Sequence, residues 1–236
     1  MAGKFYAVGV GPGDPQLLTI KAIKTMEESH VIVAPDSGAD ENIALKITKA
    51  YIQGKEICYC DMPMTKDKEL MDKCHRKAAE TIGKLLKEGK NVSFLTLGDP
   101  TIYSTVMYVH RILTDLGFDT SIVPGIPSFC GAAASLNVSL CERDEMLHII
   151  PGTFKGEEGI NLEGTKVFMK SGKQVMKMKE ILKGQNAMMV ERATMEDEKV
   201  YTDLCQLEEP SSYFSLIVVH SPQREKTKFR KRKGEH

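Results

Sequence analysis

Two stretches of this chain carry residue types and spacings that do chemistry. Residues 94–104 read Phe-Leu-Thr-Leu-Gly-Asp-Pro-Thr-Ile-Tyr-Ser, and the apolar run Val92 to Leu97 breaks there at Gly98-Asp99-Pro100. A helical pattern then runs from about Thr101 to Leu116. A strand, a tight turn and a helix start form the place where α/β proteins put ligands. Gly98 lets backbone approach a ligand closely, Asp99 can cap the helix, and Pro100 suits its first position. Spacing alone leaves equally open a well-capped loop with no ligand. Residues 5–15, Phe-Tyr-Ala-Val-Gly-Val-Gly-Pro-Gly-Asp-Pro, repeat the device, with a helical stretch to about Glu28. A glycine-rich loop after a first strand suggests a nucleotide or adenosyl ligand.

A dinucleotide fingerprint needs its third glycine one place later, where Asp14 stands. Asp36 nevertheless ends a second apolar run, Val31-Ile-Val-Ala-Pro-Asp, near the ~20-residue offset of a ribose-binding carboxylate. An NAD-type Rossmann dehydrogenase is therefore a rival on pattern alone.

Around these turns, strands and helices alternate, which predicts an α/β protein. Strands are expected near 5–10, 30–34, 56–60, 92–97 and 120–123, with helices at 69–88 and 101–116. Residues 61–68 read as a mobile loop. Pro124-Gly125 and Pro127 mark the expected boundary between an N-terminal α/β domain, 1–123, and a C-terminal one, 124–221. A small-residue helix follows from Ser128 to about Leu136, with Asn137 as its C-cap. Further strands are expected near 146–150, 165–169, 186–190 and 213–219, a helix over 173–183, and exposed turns at 155–159 and 196–198.

Composition excludes several classes. With 42% hydrophobic residues the chain buries substantial cores, so most of it is not disordered. No apolar run approaches ~18–20 residues, which argues against a membrane span. The N-terminus is unlike a signal peptide, and the expected location is cytoplasmic. The six cysteines lack metal or redox spacing: Cys58-Tyr-Cys60 is not CxxC, and no second pair follows. No metal site is expected. Cys74 falls on an apolar helical stripe with Leu70, Ala78, Ile82 and Leu85, and reads as a core thiol. Net charge is zero, yet residues 222–236 carry +5. That segment reads as a solvated, disordered tail rather than a nucleic-acid-binding one, since it offers one aromatic, Phe229, for stacking.

Gly9-Val-Gly-Pro-Gly-Asp-Pro15 with Leu17-Leu-Thr-Ile-Lys-Ala22, Leu97-Gly-Asp-Pro100, and Val123-Pro-Gly-Ile-Pro-Ser128 together resemble the three signatures of the tetrapyrrole methylases. The similarity runs from about residue 4 to His220. Within the family, Phe94 to Thr105 and Ile122 to Ala134 are most similar to the precorrin-2 C20-methyltransferases, including their cobalt-dependent branch. The resemblance implies two α/β domains with the cofactor cleft between them, S-adenosylmethionine as cofactor, a small-molecule tetrapyrrole as acceptor, and a homodimer. It implies neither a nucleic-acid nor a membrane partner. An acceptor at another carbon, or a protein acceptor as in diphthine synthase, stays open.

The same resemblance assigns cofactor contacts to Pro12, Gly98, Asp99, Pro100, Ile102, Tyr103, Ser128, Phe129, Met169, Ala193 and Phe214. Structural alternatives stand beside them: a rigid turn for Pro12, an N-cap for Ser128, core packing for Met169. Ala193 lies in Glu191-Arg-Ala-Thr194, which resembles a family segment. Tyr103 is the candidate for orienting C20 or relaying its proton. Pro127 departs from the Ser or Thr common in relatives. Such an acceptor is rich in carboxylates, and Lys21, Arg143, Lys170 and Arg192 lie at loop or strand-end positions able to pair with them. Methyl transfer from a sulfonium is an in-line displacement that needs positioning and exclusion of water, so no triad or metal cluster is expected.

Overall fold

In a computed structural model, the described residues are 1–36, 38, 42–63, 65, 67–152 and 158–221. The basic tail and most of the expected turn at 155–159 lie outside them. The chain divides into two compact units, one ending at Ser128 and one beginning at Phe129.

The first unit is a five-stranded, wholly parallel sheet in the order β3-β2-β4-β1-β5. Its elements in chain order are β1 (Phe5–Gly9), α1 (Ile20–Glu28), β2 (Val31–Asp36), α2 (Ile43–Thr48), β3 (Glu56–Asp61), α3 (Lys68–Lys87), β4 (Val92–Thr96), α4 (Val106–Asp115) and β5 (Thr120–Val123). Strands covered on both faces read as continuous apolar runs, as Val31-Ile-Val-Ala does here. One face packs Phe5, Ala7, Val31, Val33 and Phe94 against Ala78, Ile82 and Leu86 of α3 and Val109 and Leu113 of α4. The other packs Val8, Ile32, Leu95 and Val123 against Ala22 and Met26 of α1 and Ala44 and Ile47 of α2.

Two helix starts and one buried stripe differ from their expected places. Asp14 caps a single 3₁₀ turn, Pro15–Leu17, and α1 starts later because Thr19 Oγ1 accepts from Ala22 N at 3.1 Å. The helix expected from Thr101 starts at Val106. In α3 the buried stripe is His75, Ala78, Ala79, Ile82, Gly83 and Leu86. Leu70 is exposed and Cys74 half-buried, so the expected core thiol lies at the margin. The six-residue α2 had too few residues to show a period.

The second unit holds α5 (Ser128–Leu136), β6 (Leu147–Pro151), β7 (Thr165–Met169), α6 (Val175–Ile181), β8 (Ala187–Glu191), β9 (Lys199–Tyr201) and β10 (Ser215–Val219). Asn137, at φ 55°, closes α5, with Val138 N bonded to Ala133 O. The sheet order is β6-β7-β10-β8-β9. β6 and β7 pair in parallel, whereas β10 runs antiparallel to both β7 and β8, as does β9 to β8. β7, β8 and β10 are buried at every position, and one face packs Phe168, Met189 and Ile217 against Val175 and Met178 of α6.

Candidate functional site

β4, β1 and β5 are neighbours, so the loops at their carboxyl ends meet. The chain leaves β1 toward β2 on one side and leaves β4 toward β5 on the other, which makes this a topological switch point. Gly98 N donates to Gly11 O at 2.7 Å and Gly11 N donates to Gly98 O at 3.2 Å. Both glycines are left-handed, at φ 72° and 76°. A Cβ on Gly125 would fall 2.2 Å from Gly98 O, and one on Gly9 2.6 Å from Gly125 N. The glycines of the three loops are therefore required by backbone packing on backbone.

Asp99 is the clasp. Its Oδ1 accepts from Thr101 N at 2.8 Å and Thr101 Oγ1 at 2.5 Å, and its Oδ2 accepts from Gly125 N at 3.0 Å. The expectation that Asp99 caps a helix with Pro100 at its first position is thus corrected. The carboxylate is spent on the turn and on the next loop, and α4 begins seven residues later without a side-chain cap. Between them the chain turns through Tyr103 at φ 50°, and Ser104 Oγ lies 2.7 Å from Thr96 Oγ1. Tyr103 is left 47% exposed at the loop tip, while Pro12, Gly98, Asp99 and Pro100 are buried and Ile102 is half-buried. Ser128 N lies beside Gly98, 3.7 Å from where its Cβ would be. Pro12, Gly98–Tyr103 and Ser128 thus gather on one side of the first unit. Thr101 was not among the expected residues; its place two after Asp99 is the signature of an aspartate-stabilised turn.

In the second unit, strand register gathers the rest. Ser215 pairs with Glu191, and Leu216 with Met169. Met169, Ala193 and Phe214 therefore reach the same end of the three inner strands. Met169 and Ala193 are buried, Phe214 half-buried, and Phe129 is buried near the start of α5. Glu191 Oε1 accepts from Ser212 N at 2.8 Å, fixing the segment before Phe214. Burial alone would raise the Glu191 pKa, but hydrogen bonding from Ser212 and the charge of Lys199 bring it below the usual glutamate value. Glu198 Oε2 accepts from Ser135 Oγ at 2.7 Å and also from Thr194 N, which holds the loop after β8. The hydroxyls of Ser171 and Ser215 are buried and find no hydrogen-bond partner among the described residues.

The dehydrogenase pattern fails on topology. β4 lies between β1 and β2, so Asp36 is not beside the glycine-rich loop. Its carboxylate instead accepts from Gly38 N at 2.8 Å. Among the described residues no cluster of His, Cys, Asp and Glu is arranged to hold a metal ion, and no helix is long and apolar enough to cross a membrane.

A parallel sheet with three interlocked glycine loops at its strand ends, followed by a mixed sheet, defines an α/β protein. The family model of the tetrapyrrole (corrin/porphyrin) methylases matches residues 4–208, and the chain belongs to that family. It is 39% identical over 223 residues to a probable cobalt-precorrin-2 C(20)-methyltransferase of Methanocaldococcus jannaschii, covering 92% of this chain and 95% of that relative. It is 29% identical over 236 residues to a precorrin-2 C(20)-methyltransferase of Sinorhizobium sp, again covering 92% and 95%. Its fold is similar to a uroporphyrin-III C-methyltransferase of Thermus thermophilus solved with S-adenyl homocysteine, at a TM-score of 0.63 and 20% identity over 92% of this chain and 97% of that one.

Proposed function

We propose that this protein transfers a methyl group from S-adenosylmethionine to C20 of precorrin-2 or cobalt-precorrin-2 in cobalamin biosynthesis. The observation that carries the reading is the interlock of the three signature loops through Gly11, Gly98, Asp99 and Gly125. Relatives with C20-methyltransferase names, alignable over nearly their whole length, supply the acceptor.

The residues present fit such a cofactor. A Cβ at Gly98 would meet backbone, Ser128 N at 3.7 Å and Ile126 O at 4.0 Å. With the Gly98 amide taken by Gly11 O, it is the start of α5 at Ser128 that suits the carboxylate of a zwitterionic amino-acid tail. The Ser171 and Ser215 hydroxyls, unpartnered among the described residues, lie at the ends of β7 and β10 with Met169, where a polar-rimmed adenine would give them partners. Pro12, Gly98, Asp99, Pro100, Ile102, Ser128, Phe129, Met169, Ala193 and Phe214 are proposed to hold it.

When bound, the cofactor supplies a methyl group made electrophilic by its sulfonium. The chain's own contribution is placement. Asp99 fixes the turn, the left-handed Tyr103 projects from it, and Ser104 braces it on Thr96. Holding two reactants in line converts a bimolecular step into a unimolecular one and supplies several kcal/mol, roughly 7–11 at best. Tyr103 is proposed to orient C20 and relay the proton that this carbon loses. A cytoplasmic homodimer is part of the same reading.

Anaerobic mass spectrometry after incubation with the cofactor and precorrin-2, with and without inserted cobalt, tests the reading. Gain of one methyl, located at C20, supports it. Cofactor binding without methyl gain would move the acceptor to another carbon, macrocycle or protein.

A further inference from the structure

β7 and β8 end on either side of the start of β10, and each is followed at once by a cation in left-handed backbone. Lys170 has φ 61° and Arg192 φ 53°. Non-glycine residues persist there only where their surroundings fix them, and they collect at ligand sites. Arg192 N donates to Phe214 O at 2.9 Å, and Arg192 O accepts from Met195 N at 3.0 Å. The side chains then lie on a tandem aromatic platform. The Arg192 guanidinium sits 5.8 Å from the Phe214 ring centre and the Lys170 ammonium 5.6 Å from that of Tyr213. The two rings meet edge to face, 5.4 Å apart at 83°.

Arg192 is also anchored by its inner edge, where Nε donates to Asp197 Oδ1 at 2.6 Å. Among the described residues its two terminal nitrogens make no hydrogen bond, and 28% of the side chain remains exposed. A guanidinium held at Nε and along one face presents its outer fork at a fixed angle. That fork matches a carboxylate through two parallel hydrogen bonds, which an ammonium cannot reproduce.

We infer that Arg192 recognises a carboxylate side chain of the methyl acceptor. Asp197 and Phe214 act as its positioning residues, and Lys170 contributes a second positive charge beside it. The inference rests on the reading of the acceptor as a carboxylate-rich tetrapyrrole and adds the residue that selects it.

The full chain is compared with Arg192→Leu, Arg192→Lys and Asp197→Asn. Steady-state methylation of precorrin-2 gives KM and kcat, and calorimetry gives the affinity for S-adenosylhomocysteine. Arg192→Leu is expected to raise the acceptor KM about tenfold or more, with S-adenosylhomocysteine affinity unchanged. Arg192→Lys recovers part of that loss, and Asp197→Asn shows an intermediate rise. With the carboxylates of the acceptor esterified, wild type and Arg192→Lys should no longer differ, a comparison that holds even if Arg192→Leu does not fold. An unchanged acceptor KM in Arg192→Leu, or weaker S-adenosylhomocysteine binding with acceptor affinity intact, would overturn the inference while wild-type turnover keeps the proposed function standing. Wild-type protein that binds S-adenosylhomocysteine and methylates no tetrapyrrole would remove both.

Discussion

The Asp99 carboxylate holds the Gly125 amide at 3.0 Å, joining the loop after β4 to the loop after β5 across 26 positions of sequence. The same group accepts from both donors of Thr101. Asp99→Asn is nearly isosteric, yet whichever way its amide turns, one donor faces a donor. A loss of about 2–3 kcal/mol of stability is expected, from donors left unsatisfied in a buried place. Urea unfolding with parallel titration of S-adenosylhomocysteine checks this, and binding should weaken more than the loss of folded protein explains.

Gly125 and Gly117 separate two reasons for glycine. Gly125→Ala drives a methyl to 2.2 Å from the Gly98 carbonyl, and backbone cannot swing aside. Gly117, at φ 82°, has open space around it. Gly117→Ala should cost roughly 1–2 kcal/mol, the left-handed penalty alone. Gly125→Ala should cost about 3 kcal/mol or more and weaken cofactor binding. Equal melting midpoints for the two variants would contradict the packing argument.

Acid should loosen the first unit through two histidines. Burial lowers the pKa of His75, against a smaller opposing pull from Asp72, and burial with the charge of Arg111 lowers that of His110. His75 is buried and stacks face to face on Tyr108 at 4.8 Å. Because the folded chain holds these protons less tightly, the unfolded state binds more of them below the ordinary histidine value of about 6.5. Stability is full above about pH 6.5 and falls with decreasing pH until the lowered folded pKa values are passed. Denaturant midpoints between pH 7.5 and 5 should show this drop, and His75→Gln should make it shallower.

Thiol reactivity should rank by environment. Cys60 is buried, and burial together with neighbouring Cys58 pushes its pKa to about 12. Cys141 and Cys205 are exposed. Since the thiolate is the nucleophile, iodoacetamide at pH 8 should label Cys141 and Cys205 well before Cys60. Peptide mass spectrometry over a time course reads the order, and early labelling of Cys60 would contradict its placement.

Much of this was legible because buried parallel strands write themselves as unbroken apolar runs. β1, β2 and β4 were placed from Phe5–Gly9, Val31–Asp36 and Val92–Thr96 within one or two residues at most ends. The Leu-Gly-Asp-Pro turn was legible as a turn, but the start of α4 was not, because the partner that takes Asp99 from the helix is Gly125, distant in sequence. In α3 the apolar spacing of Leu70, Cys74 and Leu85 pointed to a stripe one position away from the buried His75, Ala79 and Leu86, since a histidine scores as polar until its ring is seen stacked on Tyr108. The offset of Asp36 counted residues along the chain, and the insertion of β4 between β1 and β2 exists only in three dimensions. Asp197 and Glu198 read as part of an exposed turn; their bonds to Arg192 and to Ser135 of α5 appear only in the folded loop, and the bond of Glu191 to Ser212 depends on the register of β8 on β10.

The most direct measurement is anaerobic mass spectrometry of precorrin-2 and cobalt-precorrin-2 after incubation with S-adenosylmethionine and this protein. The account predicts one added methyl, assigned to C20, and its loss in Gly125→Ala. Bound cofactor with no methyl added to either macrocycle, or a methyl at another carbon, would contradict it.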